Sequence, residues 1–289
     1  MVWQKLLCFD KDYPKLLKEI YNPPLILYVK GNLAETEHSG LAVVGTRNPT
    51  AYGKTQTEKI TKELCEKGIT IVSGLARGID SAAHSTTLKF GGTTIAVIGS
   101  GLDVIYPPEN KKLFQSICET GAVISEYELG TKPDAKNFPE RNRIISGISL
   151  GTLVIETKVN GGAMQTAAFA LDQNREVFAI PGNLGVNQSE GTNLLIQKGN
   201  AKLVTNTDDI LVELNLKVKP EIGINIPKPN IDLNLFEERI FQTIGKEPKH
   251  IDQIAVATAL STSDCLVNLL SLEFKGLIKQ LPGKMFALS

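Results

Sequence analysis

Residues 137–146, NFPERNRIIS, place one aromatic ring, Phe138, and two guanidinium groups, Arg141 and Arg143, in a short run that also carries a helix-start proline. These groups suit a single-stranded nucleic acid. A base needs only a π-face to stack on, and a guanidinium meets a phosphate in a planar, bidentate way. Taken alone, the run reads equally well as a core anchor beside a solvated helix start. Glycine-bearing segments elsewhere weigh on the choice. GTRNPTAYG (45–53) offers Gly45 for close backbone approach, the hydroxyls of Thr46 and Thr50, and the charged fork of Arg47. SGLARGIDSAAH (73–84) sets Arg77 between Gly74 and Gly78 and puts Asp80 where a helix cap is expected. NGGAMQTAAFAL (160–171) opens a helix at Gly161 and Gly162, whose free amides can face an anion. The expected rim is Arg47, Arg77, Lys136, Arg141 and Arg143 around Phe138, with Asn142 inside the RNR run.

Other chemistries find less support. GSGLDVIYPPEN (99–110) carries Gly99 and Gly101 but Val104 at the third glycine position, so the dinucleotide fingerprint is incomplete, and Glu119 falls at a helix end. His38, His84 and His250 stand at no ligand spacing from Cys8, Cys65, Cys118 or Cys265, so neither a metal nor a cofactor is expected and the thiols read as reduced core residues. His84 reads as a satisfied helix histidine. No serine–histidine–acid, cysteine–histidine or paired-carboxylate set has a clear spacing. The rim reads as a binder.

Positioning these loops requires a sheet. LAVVG (41–45), ITIVSG (69–74), TIAVIG (94–99), AVIS (122–125), TLVIE (152–156), EVFAIPG (176–182) and KLV (202–204) are apolar throughout, which marks strands covered on both faces. Helices are expected between them, at Tyr52–Lys67, Ser81–Phe90, Pro108–Glu119, Asn142–Ile148, Ala163–Asn174, Thr192–Lys198 and, capped by Thr207, Asp208–Leu214. The expectation is an α/β domain with a doubly wound, mostly parallel sheet over residues 34–215. Residues 1–33 read as an extension packing on it, with a short helix, a Pro-Pro break and one strand. Residues 216–232 carry three prolines and read as a linker. Residues 233–289 give three helical stretches and a terminal strand, a small winged-helix domain.

Lys plus Arg equals Asp plus Glu at 31 each over 289 residues, so the whole molecule has no electrostatic pull toward polyanions and any such affinity must come from local clustering. No apolar stretch approaches the ~18 residues of a membrane span, and the N-terminus lacks a signal-peptide pattern. A cytoplasmic location is expected.

With GTRNPTAYG, SGLARGIDSAAH, GSGLDVIYPPEN, NFPERNRIISG and REVFAIPGN in this order, the chain resembles the bacterial DNA-processing protein A (DprA/Smf) family from about Tyr13 to the C-terminus. The resemblance implies an extended Rossmann-like domain that dimerises, binds single-stranded DNA without sequence preference and loads the RecA recombinase during natural transformation. It implies further that Arg47 grips a phosphate, that Phe138 packs against or stacks on a base, and that Lys136 and the RNR pair line the groove. Thr50 stands where many relatives have Ser, and NGGAM replaces a commoner Ser-Gly pair. The helical N-terminal domain of many relatives is expected to be absent, since only about 30 residues precede the sheet. In the C-terminal module the presumed recognition helix, TSDCLVNLLSLEF, carries Asp264 and Glu273 and no Arg, which favours protein contact over reading of duplex DNA.

Two competing functions follow from the same residues. A nucleotide-binding enzyme of the phosphoribohydrolase type would share the glycine-rich sheet edge and an echo of GTLVIE, but residues 161–168 supply no catalytic Glu. A duplex-binding regulator would use the winged helix and lacks the cations for it.

Overall fold

Strands that are apolar at every position must be covered on both faces, and the large unit is built that way. A computed structural model describes residues 3–33, 40–214, 233–244, 248–258, 260–275, 277–281 and 283–288. In chain order the larger unit contains β1 (Trp3–Leu7), α1 (Lys15–Lys18), β2 (Ile26–Gly31), β3 (Gly40–Val44), α2 (Ala51–Glu66), β4 (Thr70–Ser73), α3 (Ile79–Lys89) and β5 (Thr94–Val97). A 3-10 turn (Pro108–Asn110) leads into α4 (Lys111–Thr120), β6 (Ala122–Ser125), α5 (Asn137–Gly147), β7 (Gly151–Val154), α6 (Gly162–Asp172), β8 (Glu176–Ala179), α7 (Asn187–Gln197), β9 (Lys202–Leu203) and α8 (Thr207–Glu213).

These strands form one nine-stranded sheet in the order β1-β2-β6-β5-β4-β3-β7-β8-β9. The pairs β1–β2 and β2–β6 are antiparallel and the others parallel. Alternation within β3 shows the two layers. Leu41 and Val43 pack in one core with Ile60 and Leu64 of α2, while Ala42 and Val44 pack in another with Ile144 and Ile145 of α5 and Ala167 and Ala170 of α6. From β3 the chain runs outward through β4, β5 and β6 on one side and through β7, β8 and β9 on the other. The order therefore reverses between β3 and β7, which is where a doubly wound sheet opens a crevice for ligands.

Several local expectations are corrected. Helix α5 begins at Asn137, five residues before the expected Asn142, because Asp134 builds a turn ahead of it: its carboxylate accepts from Lys136 N (3.0 Å) and its carbonyl from Asn137 N (3.0 Å). Phe138 and Pro139 consequently ride on the first turn of a helix, where proline is tolerated. The cap of α8 is Asn206, in a reciprocal box with Asp209, while the Thr207 hydroxyl bonds Glu63. Asp80 lies inside the first turn of α3 rather than capping it; the N-cap is Gly78. The N-terminal segment supplies two strands to the sheet where one was expected, because β1 buries one side chain, Leu6, and hides its period among exposed neighbours.

The chain divides into two compact units, Met1–Ile222 and Gly223–Ser289. The expected linker, 216–232, lies outside the described residues. The second unit contains α9 (Leu235–Thr243), β10 (Lys249–His250), α10 (Ile251–Thr258), α11 (Thr262–Phe274), β11 (Ile278–Leu281) and β12 (Met285–Leu288), with a sheet in the order β10-β12-β11. Ile240, Ile254, Leu269 and Phe286 form its core. Inside it, Glu237 accepts from Lys275 Nζ (2.7 Å) and the Ser271 hydroxyl (2.6 Å), which hold its carboxyl down at about 2. The exposed face of α11 shows Leu266, Val267 and Leu270, and no Lys or Arg falls between Thr262 and Phe274. Among the described residues no single helix is long and apolar enough to cross a membrane.

Candidate nucleic-acid interface

A cavity of about 670 Å³ opens at the carboxyl ends of β3 and β7, lined by Gly45, Thr46, Arg47, Asp80, Tyr106, Phe138, Arg141, Asn142, Lys158, Gly161 and Gly162, among others. Its rear wall is locked by Glu156, buried just beyond β7. The Glu156 carboxylate accepts from Thr50 N (2.9 Å) and the Thr50 hydroxyl (2.5 Å), and its carbonyl accepts from Thr46 N (2.7 Å). Thr50 in turn caps α2 by accepting from Gly53 N (3.1 Å). Its hydroxyl is therefore committed to the scaffold. Gly78, at φ +80°, fits under the backbone of Thr46 and Arg47, a position that a side chain would block.

Arg141 was expected on the rim and is instead the floor. It is 4 % exposed, and its Nη1 donates to the carbonyl of Gly74 (2.6 Å), beyond β4, and to that of Val97, at the end of β5. Asp80 lies beside it. A Cβ on Gly74 would come within 2.6 Å of Asp80 Oδ2 and 2.7 Å of Arg141 Nη1, so the glycine makes room for this pair. Arg143 is also committed. Its guanidinium holds both oxygens of Glu126 (2.8 and 2.6 Å) and donates to the carbonyls of Asn22 and Glu140. The expectation that both arginines stand free for phosphates is thus corrected: Arg141 is buried and Arg143 half-buried, and a cation withdrawn from water is held by such partners. Arg77 is exposed but paired with Glu109. Asn142 bonds the carbonyl of Gly162 (3.4 Å) and ties α5 to the start of α6.

What remains available is narrower and includes residues that the sequence reading passed over. Arg47 has no acidic partner among the described residues; its guanidinium lies 5.5 Å over the Phe138 ring. Tyr106 leans against the same ring, centroids 5.6 Å apart at 42°. Lys158 is exposed on the opposite lip, ahead of Gly161, the N-cap of α6. Lys136 is exposed beside Ala135, which lines the cavity. Tyr106 and Lys158 sit in loops that leave strands on the crevice side, a signal available from the sequence. Aromatic and cationic groups thus meet at one edge, over a floor of committed charge.

The sequence matches the family model of DNA recombination-mediator protein A over residues 4–215 and that of the DprA winged helix domain over residues 227–284. The chain belongs to the DprA/Smf family. It is 40% identical to the Smf protein of Synechocystis over 96% of this chain and 78% of that one, and 47% identical to DNA processing protein DprA of Streptococcus pneumoniae over 71% and 72%. The structure of the S. pneumoniae DprA superposes with a TM-score of 0.70 at 44% identity, over 73% of this chain and 74% of that one. A Helicobacter pylori DprA, described for its unique single-stranded DNA binding mode, superposes with a TM-score of 0.67 at 32% identity, over 74% and 95%. The extended Rossmann-like sheet and the winged helix expected from the sequence are both those of this DprA family.

Two buried groups beneath the DprA cavity titrate in opposite senses. Burial pushes the Asp80 carboxyl up to about 6, against the opposing pull of Arg141, and pulls the Arg141 guanidinium down to about 10, so it stays charged at neutral pH. Burial, reinforced by the Arg141 charge, pulls His84 down to about 3. The His84 ring agrees with a neutral state. Its Nδ1 lies 2.7 Å from the Thr94 hydroxyl, which itself donates to the Ile71 carbonyl, so Nδ1 carries the hydrogen and Nε2 is a bare acceptor.

Two outcomes follow. Arg143→Ala should lower the stability by about 2 kcal/mol, less than the ~3–5 kcal/mol of a fully enclosed pair because both partners keep some solvent, and leave the salt dependence of any DNA binding unchanged. Chemical denaturation and binding titrations measure the two effects. His84 takes up a proton more readily unfolded than folded, so its contribution is intact above its unfolded value near 6.5 and is lost as pH falls toward 3. Asp80 works the other way, and its raised value favours the folded state as pH drops from 6 toward 4. His84→Gln removes only the acid-destabilising member, so the variant should gain about 2 kcal/mol relative to the parent between pH 7.5 and 5. An unchanged difference between the two pH values would show that His84 is not buried neutral.

Proposed function

We propose that this protein binds single-stranded DNA without sequence preference and acts as a recombination mediator that hands the strand to a RecA recombinase during natural transformation, working as a homodimer in the cytoplasm. The carrying observation is Arg47, without an acidic partner among the described residues, over the Phe138–Tyr106 ring pair at the mouth of a groove-like cavity. The first-turn amide of α6 at Gly162 and the exposed Lys158 and Lys136 extend the same surface to a backbone of several phosphates, whereas the Gly161 amide, expected to be free, donates to the Lys158 carbonyl (2.9 Å). Gly45, Gly74, Gly78, Thr46, Thr50, Arg141 and Arg143 serve this reading as scaffold; Arg77 and Asn142 stand at the edge. The single-strand binding described for the H. pylori DprA supports it. On this reading the protein acts by holding DNA and not by breaking bonds. The phosphoribohydrolase alternative gains nothing here, since Glu156 is engaged with Thr50 and the first turn of α6 holds no acidic residue. The apolar face of α11 fits a contact with protein better than one with duplex DNA.

Fluorescence anisotropy with labelled oligonucleotides tests the reading. Single strands should bind more tightly than a duplex of the same length. Arg47→Ala should weaken mixed, dT and dA strands alike by about tenfold or more, since a charged contact is worth ~1.5–3 kcal/mol and a phosphate carries no base information. A loss confined to one base, or tighter binding of duplex, would contradict it.

A further inference from the structure

Phe138 is the ring the sequence draws attention to, but its surface is already taken. Arg47 lies over it, Tyr106 leans on it, and the backbone closes against its edge, where a Cβ at Gly99 would be 3.3 Å from Phe138 Cδ1. Tyr106 is different. It is 41% exposed and lines both the main cavity and a small adjoining pocket shared with Arg47, Arg77 and Arg141. Of the two rings, Tyr106 is exposed and Phe138 is half-buried.

We propose that Tyr106, carried on the loop between β5 and the following 3-10 turn, is the stacking platform for a nucleobase, and that Phe138 is the support that fixes its tilt. This rests on the single-strand reading of the site. The platform shares both pockets with Arg47, which has no acidic partner among the described residues, so a nucleotide stacked on Tyr106 places its own phosphate within the reach of Arg47. Stacking uses the π-face and tolerates any base, in keeping with binding that ignores sequence. It does not use the phenol hydroxyl.

The test compares the full chain, Tyr106→Phe and Tyr106→Ala on two labelled oligonucleotides of equal length: oligo-dT and an abasic strand with the same phosphates and no bases. The parent protein should bind oligo-dT about tenfold more tightly than the abasic strand. Tyr106→Phe should keep that preference. Tyr106→Ala should lose it, falling to the abasic affinity on oligo-dT while binding the abasic strand as the parent does. Photocrosslinking of an iodouracil-substituted strand should attach to Tyr106. If the parent binds neither strand, the single-strand reading itself fails. If the parent binds both equally, or if Tyr106→Ala retains the preference for dT, the platform is refuted while the reading stands.

Discussion

A guanidinium buried at the carboxyl edge of a parallel sheet is the constraint on which this site depends. Arg141 spends its hydrogen bonds on strand-end carbonyls and its charge on Asp80, and thereby fixes the ends of β4 and β5, the start of α3 and the register of α5 together. Removing a charge from water is tolerable only with such partners. The arrangement leaves a rigid floor in which Arg141 Nη1 is bonded to two carbonyls and its charge faces Asp80, while its buried Nε has no hydrogen-bond partner among the described residues. Burial keeps the histidine behind it neutral, and the Arg141 charge adds to that effect.

The consequence is a division of labour among cations that look equivalent in the sequence. Arg143 clamps Glu126 and the N-terminal segment, Arg77 pairs with Glu109 at the surface, and Arg47 alone of the four rim arginines is left without an acidic partner among the described residues. The Thr50 hydroxyl goes to Glu156 and α2. Groups without acidic partners among the described residues therefore project from a hydrogen-bonded base. Such preorganisation lowers the ordering cost of gripping a flexible polyanion.

Much of this was legible in the chain. All seven apolar runs from LAVVG to KLV are strands, and the reversal of order between β3 and β7 puts GTRNPTAYG and NGGAMQTAAFAL at one crevice, as the doubly wound pattern requires. What the sequence could not display was the state of each charge. Spacing puts Arg141 and Arg143 two residues apart, but the early start of α5 at Asn137 turns one into the floor and the other toward Glu126. Glu126, just past β6, and Asp80, in the first turn of α3, are the partners that decide these fates, and neither is near the arginines in the sequence. The place of Tyr106 in a crevice-side loop was legible, but its contact with Phe138, 32 positions away, was not. In the second unit the reverse holds, since the missing cations of α11 could be read directly and the exposed Leu266, Val267 and Leu270 match them.

The slope of log affinity against log salt for single-stranded DNA tests the central division most directly, because it counts the phosphates neutralised. With Arg47, Lys158 and Lys136 available and the remaining rim arginines committed, the slope should lie near −2, at about −0.7 per contact. A slope near −3.5 would mean that Arg141 and Arg143 also leave their partners for the DNA, contradicting the buried-floor account, and a flat response would remove the phosphate contacts altogether.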